Sequence, residues 1–370
     1  MAMRQRIAMS VVAIVLALAA CEVAARLLFP APPDPTREPQ IVYRTDPDVR
    51  YVLSANQRGW VDDGFVTTNS LGFRGREIES PKPNGRFRVV ALGDSVTFGW
   101  GVNDKDTFSA QLEQLLRANR PDLDVEVVNL AVPGYATRQE VALLERHVAR
   151  LQPDLVLLGF YSNDLPDMFV ENTPGSAGGT TIAAVHTTNG QIMRMNPAPS
   201  SWFERQARKS RAIYTAGHTL KQLIRRGEGK EGSSMELDLL ASRDTTDLES
   251  AWDRISAQLS ELKHAAASSG FAAGVVILPP REQVLGLFPA SNYQKRIRGL
   301  ADHLGLFVID PLPSLMASPG KKQALFIPYD RNHPSPTGHR LIAQAIVTYF
   351  NEHEKVVPVA KRLARSEGAQ

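Results

Sequence analysis

The chain has 370 residues, of which 43% are hydrophobic and 22% are charged, so it reads as a globular chain of one or two domains and not as a disordered one. Its formal net charge is only +3 and the basic residues are dispersed, a pattern that does not suggest nucleic-acid binding. The single cysteine, Cys21, excludes an internal disulfide and a cysteine-based metal site, and no two histidines have the helical spacing of a zinc site.

The first 29 residues have the pattern of a membrane-targeting segment. Two arginines precede the uncharged run Ile7–Cys21, as in a secretory signal or a signal-anchor. The run is shorter than the roughly 20 residues of a spanning helix. Continuing it through Phe29 reaches that length if Glu22 and Arg26 lie near one interface, where long polar side chains can reach water.

Three modes of export fit this segment, and we favour an uncleaved anchor. Leu18-Ala19-Ala20-Cys21 also resembles a bacterial lipobox, in which Cys21 would be lipidated after cleavage. Plain secretion is the third mode. All three put the body of the protein on the periplasmic side, whereas a buried N-terminal helix of a cytosolic protein would not.

Composition and turn residues divide the remainder of the chain into three parts. Residues 30–83 read as a proline-rich linker to about residue 50 and then as an extension of short β-like pieces, packed on the edge of a sheet. Residues 84–355 form the main domain, interrupted by an insertion at 165–240. Residues 356–370 read as a basic, solvated tail.

Within the main domain, apolar β-branched runs alternate with helical patterns. The predicted strands are Phe87–Leu92, Val125–Val132, Leu155–Phe160, Ala273–Leu278 and Phe307–Asp310. The predicted helices cover about 107–119, 138–151, 246–268, 291–304 and 336–351. This alternation implies parallel strands with right-handed crossovers. Since neither a dinucleotide glycine fingerprint nor a Walker motif is present, we predict a flavodoxin-like three-layer α/β/α sandwich with about five parallel strands.

The insertion follows the carboxyl end of the third predicted strand. It contains glycine-rich loops and a basic, partly helical segment over 202–226. Its position could let it cap a site, and a tolerated surface excursion is the alternative.

Polar residues suited to acyl transfer follow the predicted strands. Ser95 comes after the first strand as a candidate nucleophile, and Gly134 comes after the second, where a backbone N–H can approach a substrate oxygen. Asn163 follows the third strand and offers an amide donor. Asp330 and His333 lie three residues apart in the last loop, so the carboxylate could orient an imidazole that faces Ser95.

Alternative roles exist for each of these residues. Ser95 could only cap a helix, Asn163 could only be a turn residue, and His333 could be a structural loop histidine. Asp330 could instead pair with Arg331 or cap the last helix. The other histidines, including His339 in the last helix, have no strand-end context and suit core or solvated roles. Trp100 and Tyr161 flank the candidate site and could line a pocket or the core.

The ordered blocks Gly93-Asp94-Ser95, Gly134, Gly159-x-x-x-Asn163-Asp164 and Asp330-x-x-His333 resemble those of the SGNH (GDSL) hydrolase superfamily over about 87–165 and 270–350. The resemblance implies Ser95 as the nucleophile, His333 as the base, Asp330 as its orienting partner, and an oxyanion hole of the Ser95 and Gly134 N–H groups and the Asn163 side chain. The first block reads Gly-Asp-Ser-Val rather than Gly-Asp-Ser-Leu. The third has one extra residue after Gly159, so only Asn163 is carried over from it.

We therefore predict an exported, membrane-tethered serine esterase that acts through an acyl-enzyme and needs neither a metal nor an organic cofactor. Its expected partners are an ester-bearing small molecule, lipid or acylated glycan, and the membrane through the N-terminal segment. Two alternatives stay open at this point. One is an O-acetyltransferase or deacetylase acting on a cell-envelope polysaccharide with the same residues. The other is a non-catalytic binding module.

Overall fold

The computed structural model describes residues 2–34, 37–167, 191–192, 202–227, 234–289, 291–330 and 332–353. The predicted tail at 356–370 and much of the predicted insertion, at 168–190, 193–201 and 228–233, lie outside the described residues. The chain divides into two compact units, one of Met1–Thr36 with Pro197–Glu231 and the other of Arg37–Asn196 with Gly232–Gln370.

Strands and helices are numbered here in chain order. The strands are β1 (Tyr43–Asp46), β2 (Arg50–Leu53), β3 (Arg58–Val61), β4 (Gly64–Thr67), β5 (Phe87–Gly93), β6 (Val125–Asn129), β7 (Leu155–Phe160), β8 (Gln191–Ile192), β9 (Ala272–Ile277) and β10 (Phe307–Ile309). The α-helices are α1 (Ala2–Leu28), α2 (Ser95–Phe98), α3 (Phe108–Asn119), α4 (Thr137–Leu151), α5 (Asp164–Asp167), α6 (Trp202–Lys209), α7 (Arg211–Gly227), α8 (Ser234–Leu240), α9 (Thr246–Ser269), α10 (Arg281–Val284), α11 (Tyr293–His303), α12 (Leu312–Ala317) and α13 (Pro336–Glu352).

The larger unit is built on a five-stranded parallel sheet in the order β10-β9-β7-β5-β6. This is the strand order of flavodoxin-like folds, in which ligand sites lie outside the carboxyl ends of the strands at the point where the order reverses. Here that point lies between β5 and β7, whose ends are aligned by the Gly93↔Gly159 pairing. The predicted fold class is confirmed.

Each strand of the sheet buries both of its faces. On β5, Val90 and Leu92 belong to one core cluster, whereas Val89 and Ala91 belong to the other. The first cluster includes α4, α9 and α11, and the second includes α3 and α13. Alternate side chains of a strand point to opposite faces, so continuous apolar runs such as Val89–Leu92 are what a sheet between two helical layers requires.

The extension before the sheet differs from the prediction at its start. β1 begins at Tyr43, inside the predicted linker, because the Tyr43 ring is buried and packs edge-on against Tyr51 at 5.8 Å between ring centroids. β1 pairs with both β2 and β8, and β3 pairs with β4 in a separate hairpin. An isolated bridge between Arg74 and Asn129 joins the extension to the end of β6, the edge strand of the parallel sheet.

In the smaller unit, α1 is a continuous helix of 27 residues. The segment Met3–Leu28 contains an 18-residue stretch with a mean hydropathy of 2.5 and is long and apolar enough to cross a membrane, a property that a signal sequence shares. The predicted partly helical segment of the insertion forms α6 and α7, which break at Ser210.

Candidate active site

Ser95 is the first residue of α2, immediately beyond the carboxyl end of β5. The helix cap is Asp94, whose side chain accepts a hydrogen bond of 2.8 Å from the Val96 N–H, so Ser95 itself is not used as a cap. The Ser95 N–H is at the first turn of a helix, where backbone donors have no intrahelical acceptor. Its hydroxyl and its N–H are therefore both available at the end of the sheet.

The turn from β5 into α2 requires two glycines because of one neighbouring side chain. A Cβ added to Gly93 would lie 2.1 Å from Thr97 Oγ1, and a Cβ added to Gly159 would lie at the same distance from that oxygen. Thr97 is fully buried between the ends of β5 and β7. The two glycines thus let α2 start close against the sheet.

His333 bridges Ser95 and Asp330. Its Nε2 lies 2.9 Å from Ser95 Oγ, and its Nδ1 lies 2.8 Å from Asp330 Oδ2. The other carboxylate oxygen of Asp330 accepts from the backbone N–H groups of Asn332, at 2.7 Å, and His333, at 2.8 Å. The ring is therefore fixed from both sides, with Nδ1 toward the carboxylate and Nε2 toward the hydroxyl.

The same contacts set the protonation of the pair. Burial alone would lower the pKa of His333, but the charge and the hydrogen bond of Asp330 outweigh it, so this pKa is raised above its ordinary value. Burial alone would raise the pKa of Asp330, but the charge of His333 and the hydrogen bonds from His333 and Asn332 outweigh it, so this pKa is lowered. The arrangement stabilises an imidazolium beside a carboxylate, the charge state that forms when His333 accepts a proton.

Backbone contacts hold the loop that carries both residues. The Ile327 N–H donates to the His333 carbonyl at 2.9 Å, and Arg281 Nη1 donates to the Asp330 carbonyl at 2.6 Å. The next helix, α13, is capped by Ser335, whose hydroxyl accepts from the Gly338 N–H. Asp330 is therefore not the cap of the last helix, which was one of its alternative roles.

Gly134 and Asn163 follow β6 and β7, the two strands that flank β5. Gly134 has a φ of 77°, a conformation that glycine adopts without strain, and within the described part of the chain its N–H has no protein acceptor. Asn163 is half-buried beside Asp94, and burial raises the pKa of that carboxyl while the Asn163 amide partly offsets the rise. The structure thus puts the ends of three adjacent strands, with Ser95, Gly134 and Asn163, at one edge of the sheet.

Trp100 covers the other side of the imidazole. Its ring stacks on the His333 ring with 5.8 Å between centroids and an interplanar angle of 25°. Its indole N–H donates to Asp62 Oδ2 at 2.6 Å, and Asp62 lies in the turn between β3 and β4. In the sequence Trp100 stands beside the candidate site, but no motif pointed to Asp62 or to Arg281. The three-residue run Asp62-Asp63-Gly64 carried a turn signal and nothing that pointed to a distant histidine.

His339 lies in the core and not in the site. It is fully buried, burial lowers its pKa to about 3, and its Nδ1 accepts from the Phe108 N–H at 3.2 Å. It therefore acts as a neutral acceptor at the start of α3, in agreement with the core role expected for it.

Several solved structures resemble the chain at low identity. An α/β hydrolase enzyme from the metagenome of Lake Arreo, Spain, is 18% identical, with a TM-score of 0.41 and coverage of 71% of this chain and 94% of that one. The psychrotrophic esterase EstA from Pseudoalteromonas sp. is 10% identical, with a TM-score of 0.40 and coverage of 72% and 97%. A variant of an acetyl-xylooligosaccharide esterase from Geobacillus is 15% identical, with a TM-score of 0.41 and coverage of 71% and 93%. No curated protein sequence gave a significant match.

A comparison with models of protein families identifies the family. The family model described as the GDSL-like lipase/acylhydrolase family matches residues 91–341. That range is more than half of the chain and contains Ser95, Gly134, Asn163, Asp330 and His333. The chain therefore belongs to the GDSL-like lipase/acylhydrolase family and is an ester-cleaving hydrolase.

Proposed function

We propose that the chain is an exported, membrane-tethered serine esterase in which Ser95 is the nucleophile, His333 the general base and Asp330 the residue that orients it. The observation that carries the proposal is the continuous hydrogen-bonded line from Ser95 Oγ through His333 to Asp330, with contacts of 2.9 Å and 2.8 Å. A nucleophile within hydrogen-bond reach of a base that is itself oriented by a carboxylate is the arrangement that activates a serine hydroxyl.

The first half of the reaction forms an acyl-enzyme. Ser95 Oγ attacks the ester carbonyl carbon while its proton passes to His333 Nε2, and the imidazolium is stabilised by Asp330. The negative oxygen of the tetrahedral intermediate accepts hydrogen bonds from the N–H groups of Ser95 and Gly134 and from the Asn163 amide. When the intermediate collapses, the bond to the alcohol oxygen breaks and His333 returns the proton to that oxygen.

The second half releases the acid. A water molecule gives a proton to His333 as its oxygen attacks the acyl carbonyl, and the same donors stabilise the second tetrahedral intermediate. Collapse breaks the bond to Ser95 Oγ, which takes the proton back from His333. The products are a carboxylic acid and an alcohol, and the enzyme returns to its starting state.

The tether is the second part of the proposal. We infer that α1 stays uncleaved as an anchor and that the larger unit faces the periplasm, in agreement with the apolar segment Met3–Leu28 and the arginines that precede its core. The mass of the mature N-terminus tests this. An intact α1 supports the anchor, a diacylglyceryl group on Cys21 would make the protein a lipoprotein, and an unlipidated cleaved chain would make it secreted.

The experiment for the catalytic assignment compares the full-length chain with Ser95→Ala and with Ser268→Ala, a matched control at an exposed serine on α9. Hydrolysis of p-nitrophenyl acetate, butyrate and octanoate should fall by roughly 10⁴-fold or more in Ser95→Ala and should be unchanged in Ser268→Ala. A fluorophosphonate should label Ser95 in the unmodified chain. Turnover that persists in Ser95→Ala would refute the assignment.

The same assay separates hydrolysis from transfer to a sugar. An acylated oligosaccharide formed when a carbohydrate acceptor is added, at the expense of free acid, would identify an acyltransferase with the same nucleophile. Free acid formed at the same rate with and without the acceptor supports the esterase.

A further inference from the structure

The insertion is joined to the end of the apolar helix by hydrogen bonds within the smaller unit. The Glu22 carboxylate accepts from Arg26 Nε at 2.7 Å and from Ser210 Oγ at 2.8 Å. It also accepts from the backbone N–H groups of Arg211 and Ala212, each at 3.1 Å. Glu22 therefore caps the N-terminus of α7, where orphan N–H groups favour a negative charge. Both oxygens of this carboxylate, which is costly in an apolar helix, therefore accept hydrogen bonds.

A side chain of the insertion in turn donates hydrogen bonds to backbone carbonyl groups at the end of α1. The Arg211 guanidinium donates to the carbonyl oxygens of Arg26, at 2.7 Å, and Phe29, at 3.0 Å. These carbonyls lie at the end of α1, where helical backbone has no intrahelical donors. Each helix thus caps the other, and α7 starts at the depth where the apolar segment ends.

Along α7, large apolar side chains form an exposed stripe. These side chains have exposed fractions between 52% and 60% and follow the spacing of one helical face: Ile213, Leu220, Leu223 and Ile224. Lys221 lies off this stripe, and the side chains of Tyr214 and Thr215 on another side of the helix are half-buried. An amphipathic helix with an unpacked apolar face and polar residues such as Lys221 beside it is typical of helices that lie in a membrane interface.

A cavity of about 460 Å³ opens beside the start of α7. Its lining includes one acidic residue, Asp34, among the residues that the structure describes. Five basic side chains also line it: Arg26, Arg205, Arg208, Lys209 and Arg211. Arg208 also donates to the Pro33 carbonyl, at 3.4 Å, so the segment that leaves α1 forms one wall. The cavity therefore carries excess positive charge directly after the apolar segment.

We propose that this cavity binds the phosphate headgroup of an anionic phospholipid while the apolar stripe of α7 lies in the adjacent bilayer. Charge complementarity supports an anionic group, and basic clusters next to a membrane helix attract anionic lipids. The continuity of the cavity with the end of α1 puts a bound phosphate at headgroup depth. A soluble phosphate would use the cavity alone, whereas a phospholipid would use both the cavity and the apolar stripe. The proposal rests on the membrane insertion of α1 and is independent of the catalytic assignment.

The first test measures lipid binding to the detergent-purified full-length chain by native mass spectrometry. Dioleoylphosphatidylglycerol should bind, and dioleoylphosphatidylcholine should bind much more weakly. At about fivefold per basic side chain, Arg205→Gln/Lys209→Gln should weaken phosphatidylglycerol binding about 25-fold. Lys221→Gln/Lys321→Gln, which removes two exposed lysines outside the cavity, should change it less than twofold. Esterase activity on a soluble ester should be the same in all of these chains, as a measure of folding.

Three outcomes would overturn the proposal. These are equal binding of the two lipids, unchanged binding by Arg205→Gln/Lys209→Gln, and displacement of the lipid by an equal concentration of inorganic phosphate. The last would identify a site for soluble phosphate.

The second test measures depth in nanodiscs that contain spin-labelled lipids. Bimane is attached after Leu220→Cys or Lys221→Cys in a Cys21→Ser background. Shallow spin labels should quench the probe at position 220 more strongly than at 221, and equal quenching would refute an interfacial α7. A third probe, attached after Leu16→Cys in α1, should be quenched by deep labels. Failure of that probe alone would refute the tether, so the two failures are distinguishable.

Discussion

The hydrogen bond between Trp100 and Asp62 predicts that Asp62 affects catalysis through the Trp100 ring, which stacks on the proposed base His333. Asp62→Ala removes the acceptor of the 2.6 Å indole hydrogen bond, and Trp100 stacks on the His333 ring. A hydrogen bond to a charged group contributes about 1.5–3 kcal/mol. If all of that energy held the imidazole in place, kcat/KM would fall about 10- to 150-fold, which is a ceiling.

The expected loss lies at or below the lower end of that range because His333 has other supports. Its ring and its backbone N–H each bond Asp330 at 2.8 Å, and neither contact involves Asp62. We therefore expect kcat/KM for p-nitrophenyl acetate to fall about 3- to 10-fold in Asp62→Ala, mostly through kcat.

The companion variant Asp62→Asn separates charge from geometry. It keeps an oxygen acceptor for the indole but removes a charge that contributes to raising the pKa of His333. The acidic limb of its kcat/KM profile should therefore move to lower pH, with little loss of the plateau rate. A merely structural role of Asp62 would not move that limb.

The control is Asp63→Asn, at the neighbouring residue, whose exposed ion pair with Arg37 spans 3.1 Å. Exposed pairs of this kind contribute little to stability, so this variant should match the unmodified chain in rate and in profile. Thermal unfolding of all variants checks that assays run well below the transition. If Asp62→Ala and Asp63→Asn gave the same kcat/KM and the same acidic limb, the proposed support of the imidazole by Trp100 would be wrong.

Three further predictions concern the oxyanion donors, the core and pH. Asn163→Ala should lower kcat by about 10²–10³-fold with little change in thermal stability. A smaller loss of kcat would refute the proposal that the Asn163 amide is an oxyanion donor. Arg74→Gln should lower the free energy of unfolding by about 3–5 kcal/mol in urea titrations, because the buried guanidinium pairs with Asp104 and also donates to three backbone carbonyls. The raised pKa of His333 predicts opposite pH trends for activity and for stability. As the pH rises through this pKa, kcat/KM should increase because the neutral base forms. Over the same interval the stabilisation from the ion pair of His333 with Asp330, which is fully present below the ordinary histidine pKa of 6.5, should be lost. A kcat/KM that is flat across that interval would contradict His333 as the base.

The sheet and the strand-end residues could be predicted from the sequence because each carries a local signal. The predicted bounds of Leu155–Phe160 agree with the structure, since a continuous apolar run of this length between turn residues is typical of a strand buried on both faces. β6 ends at Asn129, earlier than predicted. The N–H groups of Leu130 and Val132 still donate to β5 carbonyls, and the Asn129 side chain turns inward to the carbonyls of α2.

The supports of the site could not be predicted in this way. Tyr51 and Pro133 are 82 residues apart, and Asp62 and Trp100 are 38 apart, so no periodic pattern connects either pair. The turn residues at Asp62 predict that the chain reverses there, but they do not predict which group the Asp62 carboxylate contacts. The pairing of Glu22 with the start of α7 is of the same kind, because the charge in an apolar run was read as an interfacial residue and not as a helix cap.

Three supports of the candidate site come from the extension that precedes the sheet: Tyr51, Arg74 and Asp62. Tyr51 donates to the Pro133 carbonyl at 2.8 Å, one residue before Gly134. Arg74 donates to the carbonyls at the end of α2, the helix that begins at Ser95, and Asp62 accepts from the indole that stacks on His333. The extension therefore contacts the segments that carry the proposed nucleophile and a proposed oxyanion donor, and it reaches the proposed base through the Trp100 ring. Preorganised donors and an oriented base depend on such second supports, since a small displacement of any one of them reduces the rate. The extension is better described as part of the scaffold of the candidate active site than as a spacer that precedes the sheet.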